Sequence, residues 1–292
     1  MDPRLIAVVG PTATGKSALG IALAQATGGE VVNADAMQLY RGLDVGTAKL
    51  APAERRGIPH HLLDVLDVTE TASVAAYQRD ARAVIERLLG AGRTPVLIGG
   101  SGLYVQAVLD ELEFPGTDPV LRAELEAELH EHGSGALHAR LAQVDPAAAA
   151  AVLPSNGRRI VRALEVIALT GRPFVATLPK AREPRYGAVL LGVDRPAAEL
   201  DERVARRVAR MFAAGLVAET RSLLPALREG RTASRALGYQ QLLECPTASE
   251  AAAATVVATR RFVRRQRSWF RRDHRIRWLT GDRVEALALV HS

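Results

Sequence analysis

The chain has 292 residues, 48% hydrophobic and 24% charged, which suits a globular protein near the size where one core begins to split into two. It has no run of about 18 apolar residues and no secretory signal pattern, and its one cysteine, Cys245, excludes an internal disulfide and a cysteine-cluster metal site; no membrane span and a cytoplasmic location are expected. The net charge of +6 is mild, but nine arginines fall between Arg260 and Arg277 with Asp273 as the only acid among them, a footprint for a polyanion or, more blandly, a solvated helix face.

Leu5 to Val9 form a short apolar run, followed by a glycine-rich loop and an alanine- and leucine-rich stretch to Ala26, which predicts strand, loop and helix. Glu30 to Asn33 read as a second strand that leads to Asp35. Ala72 to Leu89 have helical spacing, with Gly90 and Gly92 just beyond. Thr94 to Ile98 read as a buried strand stopping at Gly99-Gly100. Strands alternating with helices predict a parallel sheet covered on both faces, an α/β fold of the P-loop NTPase type.

From Pro115 to Pro179 no strand pattern stands out, and helical stretches run over 119–130, 135–144, 146–153 and 158–169. Ala188 to Val193 return to strand character, and Leu200 to Ala214, Ala218 to Arg228 and Ser249 to Arg271 read as further helices. The expected organisation is therefore a catalytic core of residues 1–114 and 188–292, ending in basic helices, with a helical insertion over 115–187.

The loop Gly10-Pro11-Thr12-Ala13-Thr14-Gly15-Lys16-Ser17 matches G-x-x-x-x-G-K-[ST] in full. Its glycines let backbone N–H groups turn inward on phosphate oxygens, the helix start adds positive potential, Lys16 brings a mobile charge, and the Ser17 hydroxyl can join a Mg²⁺ shell. The loop alone fits a nucleotide such as ATP or a diphosphate. Phosphoryl-transfer enzymes usually place an acid at the end of a neighbouring strand to hold Mg²⁺. Here that position reads Gly99-Gly100-Ser101-Gly102, with no carboxylate. Asp35 ends a strand on the same side of the sheet, where it can act as a general base, a metal-shell acid or a helix N-cap.

An ordered set of segments then carries a resemblance. It comprises the loop at 10–17, Asn33 to Lys49 (NADAMQLYRGLDVGTAK), Pro59 to Asp64 (PHHLLD), Gly99 to Tyr104 (GGSGLY), Arg159 to Glu165 (RIVRALE), Gly238-Tyr239-Gln240 and Thr259 to Gln266 (TRRFVRRQ). Together these resemble the tRNA dimethylallyltransferases, or tRNA isopentenyltransferases, of bacterial type, from about Leu5 to Phe270. The resemblance implies transfer of a dimethylallyl group from dimethylallyl diphosphate to N6 of adenosine 37, beside the anticodon, with diphosphate released and Mg²⁺ as cofactor. It implies a catalytic set of Asp35 (the base), Lys16, Thr12 and Arg207, and diphosphate binding by Thr12 to Ser17 with Arg203 and Arg207. By spacing alone, those two arginines read more readily as two solvated residues in an arginine-rich stretch.

The resemblance further implies contacts to the tRNA anticodon stem-loop from Asp35, Ala36, Met37 and Gln38, from Ser101, from Arg158, Arg159, Ile160, Val161 and Arg162, and from Arg261, Arg264, Arg265 and Gln266. A monomer is expected. Ala36 departs from the serine frequent in the family, which removes a hydroxyl contact but not the base. Trp269 and Phe270 are candidates for base stacking or for core, and His60 and His61 for a structural role. Other readings of the loop are a small-molecule kinase, an RNA-binding NTPase switch, or a family relative acting on free adenine nucleotide.

Overall fold

The structure is a computed structural model that describes residues 3–174, 183–279 and 283–291. Its sheet contains β1 (Ile6–Val9), β2 (Glu30–Asn33), β3 (His60–His61), β4 (Pro95–Gly99), β5 (Val189–Val193) and β6 (Arg277–Leu279), in the spatial order β3-β2-β4-β1-β5-β6. Every pairing is parallel: Val8 lies opposite Ile98 on one side and Leu191 on the other. Residues on β1 alternate between two cores, as the two-residue side-chain period requires. Ala7 and Val9 join Leu97, Ile85, Tyr77 and Tyr104 on one face; Ile6 and Val8 join Leu19, Leu23, Ile98 and Leu191 on the other.

The helices follow from their apolar periodicity and their caps. α1 (Lys16–Thr27) covers one face, and α2 (Val74–Gly90), capped by the Ser73 hydroxyl, covers the other with α3 (Gly102–Leu109). A compact helical unit, Leu112–Lys180, contains α4 (Pro119–Val144), α5 (Pro146–Ala151) and α6 (Gly157–Thr170). α4 bends at Gly133, whose φ of 77° lies outside the helical region. The unit has its own core of Leu125, Leu137, Leu141, Val152, Ile160, Val161 and Leu164. Its buried Glu165 accepts from Arg122 and from Arg162, the latter at 2.7 Å. The other unit, Met1–Glu111 with Ala181–Ser292, holds the sheet.

After β5 this unit adds α7 (Ala197–Ala213), α8 (Leu216–Ser222), α9 (Leu224–Glu229), α10 (Tyr239–Glu244), α11 (Ala248–Phe270) and α12 (Arg283–His291). The single helix expected over 218–228 is two, α8 and α9, divided at Leu223 just before Pro225. Because the sheet is parallel, the phosphate loop after β1, Asp35 after β2, Gly100 after β4 and Asp194 after β5 all emerge at one edge.

Candidate active site

The phosphate loop is built on backbone conformations that its sequence permits. Gly10 has φ +133°, and a Cβ there would lie 2.3 Å from the Val193 carbonyl oxygen on the neighbouring strand. Ala13 (φ 66°) and Gly15 (φ 104°) take left-handed turns on the way into α1. The Thr14 hydroxyl donates to the Pro11 carbonyl at 2.9 Å, and Lys16 Nζ donates to the same oxygen at 2.5 Å. Guanidinium groups close the loop from outside: Arg203 Nε donates to Ala13 O at 2.6 Å and Arg195 Nε to Thr14 O at 3.0 Å.

Beside this loop lies an open cavity of about 800 Å³ lined by Lys16, Ser17, Arg203, Arg206, Arg207 and Arg210, with no acid in its lining. Burial pushes Lys16 down to about 7, the Arg207 charge adds to that, and Asp35 opposes it. Burial likewise lowers Arg207, with Asp35 opposing and Arg210 reinforcing. So concentrated a set of cations, with two of them held below their usual values, has the electrostatic character that suits an anion. Arg203 and Arg207 both line this cavity, and Arg207 is partly buried in its wall. Arg207 is itself aimed by the Thr47 carbonyl, to which Nη2 donates at 3.3 Å.

Thr47 is held in turn by a buried network. Glu219 accepts from the Val45 N–H at 3.0 Å and from the Tyr239 hydroxyl, and Tyr239 accepts from the Gly46 N–H at 3.1 Å. Gly46 has no room for a Cβ, which would lie 2.3 Å from the Tyr239 ring. Gln38 Nε2 donates to the same Thr47 carbonyl at 3.1 Å.

A second cavity, of about 340 Å³, shares Arg207 in its lining with the first. Asp35 lines it with Thr12 and Ser101, facing apolar groups from Met37, Val208, Met211, Leu237 and Phe262. Asp35 Oδ1 accepts from the Met37 N–H at 3.0 Å, its own N–H donates to Asn33 Oδ1 at 2.9 Å, and the Ala36 N–H donates to Ser101 Oγ at 3.1 Å. The aspartate therefore caps a turn and still presents a carboxylate to the cavity. Ser101, not a side chain at position 36, supplies the hydroxyl there.

Arg235 and Arg265 stand exposed around this second cavity; the Arg265 guanidinium lies 5.7 Å from the Phe262 ring centroid. The arginine-rich tail is otherwise of two kinds. Arg267 and Arg271 share Asp194 at 3.0 and 3.1 Å, Arg275 pairs with both Asp110 and Asp273 at 2.6 Å, and Arg260 lies 3.4 Å from Asp201. Arg261, Arg264, Arg265, Arg272 and Arg277 are exposed and take no carboxylate partner among the described residues.

Several expected contacts change character. Trp269 packs against Gly102 and Phe270 is 3% exposed in the sheet's core, so neither offers a stacking face. Ile160 and Val161 are buried in the helical unit, and Arg162 donates to Glu165 and to the Pro115 carbonyl; only Arg158 and Arg159 of that segment are exposed. Gln266 is buried rather than surface-facing. His61 is structural, its Nε2 2.6 Å from Glu30 Oε2.

Among the described residues no group of three histidine, cysteine, aspartate or glutamate side chains gathers as a metal cage. The exposed Ser17 hydroxyl beside the phosphate cavity suits Mg²⁺ of a different kind, an ion held by one or two protein ligands and completed by phosphate oxygens and water.

Residues 38–273 match the model of the IPP transferase family. The tRNA dimethylallyltransferase of Streptomyces griseus is 65% identical, the match covering 99% of this chain and 94% of that one; that of Saccharopolyspora erythraea is 68% identical over 96% and 92%. Among solved structures, the full-length tRNA isopentenylpyrophosphate transferase of Bacillus halodurans superposes with a TM-score of 0.71 at 38% identity, covering 99% of this chain and 94% of that one. A eukaryotic dimethylallyltransferase acting on tRNA gives 0.76 at 24% identity over 91% and 70%, a likeness of fold.

Proposed function

The chain belongs to the IPP transferase family, the tRNA dimethylallyltransferases, and from that premise we propose that it transfers a dimethylallyl group from dimethylallyl diphosphate to N6 of adenosine 37 in the tRNA anticodon stem-loop. The observation that carries this reading is the arrangement of two cavities about Arg207, one an acid-free anion cradle and the other holding Asp35. A leaving diphosphate fits the first. An allylic group and an extruded adenine fit the second, whose apolar walls suit both.

The reaction follows from that arrangement. The carbon–oxygen bond of the donor breaks, and its electron pair leaves on the diphosphate. Lys16, Arg203, Arg207 and the N–H groups that open α1 stabilise that developing charge. Mg²⁺, held by the Ser17 hydroxyl and the diphosphate oxygens, would supply further positive charge to the leaving group. The lone pair of N6 forms the new bond to the allylic carbon, and the Asp35 carboxylate takes the N6 proton. Thr12 and Ser101 flank the reacting atoms and keep the amine in line. The adenosine must leave its stack to enter the cavity.

Exposed Arg261 and Arg264 on α11 and Arg158 and Arg159 on the helical unit meet RNA phosphates, which position without reading sequence. All the groups this scheme needs belong to one chain, so a monomer suffices, working where tRNA is found in the cytoplasm. The test is to incubate the protein with unmodified tRNA and dimethylallyl diphosphate, digest the RNA and locate the product by mass spectrometry. A dimethylallyl adenosine at position 37, with AMP failing to compete as acceptor, is expected. RNA left unmodified, or AMP modified in preference, would overturn the proposal.

A further inference from the structure

Gln266 stands in the arginine-rich stretch of α11, yet only 5% of it is exposed, on the helix side that also buries Val263 and Phe270. Among the described residues, its side chain is the one that hydrogen-bonds both of two neighbouring turns. Oε1 accepts from the Thr12 N–H at 2.9 Å, and Nε2 donates to the Gly100 carbonyl at 2.9 Å. The fit is close: a Cβ on Gly100 would lie 2.3 Å from Nε2. Thr12 belongs to the phosphate loop and Ser101 follows Gly100, and both line the Asp35 cavity. The amide of Thr12, being bonded to Gln266, is not among those free to meet phosphate oxygens.

Other residues of α11 reach the same cavity from the same helix. Arg265 precedes Gln266, and Phe262 lies one turn earlier. A single amide therefore ties the phosphate loop, the Ser101 turn and the helix that carries the cavity's arginine–phenylalanine pair.

We propose that Gln266 is a positioning residue for prenyl transfer: it sets the gap between Thr12 and Ser101 and so aligns the allylic carbon and N6 with Asp35. This rests on the prenyl-transfer reading above. Gln266 touches neither substrate; it acts through the two turns it joins.

The test compares Gln266→Met, which keeps the volume and loses both bonds, with Gln266→Glu. The glutamate can accept from Thr12 but, when ionised, has no donor for Gly100; when protonated it restores both bonds. For Gln266→Met we expect kcat to fall about 10- to 100-fold, with KM for dimethylallyl diphosphate within about threefold, as a misaligned reaction requires. For Gln266→Glu we expect the ratio of its kcat to the wild-type kcat at the same pH to rise as pH falls from about 8 to 5.5.

A general loss of fold would not give that pH-dependent recovery. If Gln266→Met fails to fold, the Gln266→Glu ratio decides alone. A Gln266→Met kcat within about twofold of wild type, a loss confined to KM for the diphosphate, or a pH-independent Gln266→Glu ratio would overturn the assignment of Gln266 while wild-type transfer stands. No transfer by the wild-type chain would overturn both.

Discussion

Raising the pH above 7 takes the proton from Lys16 before the diphosphate arrives. Burial and the neighbouring Arg207 set its pKa at about 7, against an ordinary lysine value of 10.5. The free site then has Lys16 about half protonated at pH 7 and about one-tenth protonated at pH 8. A bound diphosphate supplies opposite charge and raises the lysine again. Binding therefore takes up about 0.5 proton at pH 7 and about 0.9 at pH 8, and affinity falls by up to about tenfold per pH unit above 7.

Isothermal titration with inorganic diphosphate in buffers of different ionisation enthalpy measures the uptake. Lys16→Met is the control, since the ligand's own titration is common to both proteins. The difference between them should grow from pH 7 to pH 8. Equal uptake by wild type and Lys16→Met, or a difference flat across that range, would refute the argument.

Asp35→Asn keeps an oxygen for the Met37 N–H, so the turn survives; transfer should fall about 10²- to 10⁴-fold with tRNA affinity nearly unchanged, measured by single turnover and filter binding. Gly10→Ala places a Cβ against the Val193 carbonyl at a left-handed φ, and should destabilise the chain by about 1–3 kcal/mol in urea unfolding. The double change Arg235→Ala with Arg265→Ala removes two cations from around the Asp35 cavity; tRNA binding should weaken and its log–log salt slope should become shallower by about 1.5, while diphosphate binding is unchanged.

The strand–loop–helix at residues 6–27 was legible because its motif, its strand and its glycines are contiguous, and Asp35 because a parallel sheet sends each strand's end to the same edge. The apolar spacing of Ile160, Val161, Ala163 and Leu164 in α6 was also there to read, and it marks core more directly than RNA contact. Other features depend on distance in the fold. Which arginines of the tail are free turns on Asp194 and Asp110, which are 73 residues from Arg267 and 165 from Arg275. Arg235 and the loop-closing Arg195 lie in segments with no motif of their own, and the fold alone brings them to the site. β3 has two residues and β6 is an edge strand with two exposed positions inside a basic run, so neither showed a strand pattern.

The central claim is that the phosphate loop holds a leaving group rather than a phosphoryl donor. Product analysis tests it most directly: purified protein, tRNA and dimethylallyl diphosphate, with and without ATP, and released diphosphate quantified against prenylated adenosine. Intact diphosphate in equal amount to prenylated adenosine, with no need for ATP, is the expected result. Consumption of ATP with phosphoryl transfer, and no prenylated adenosine, would contradict it.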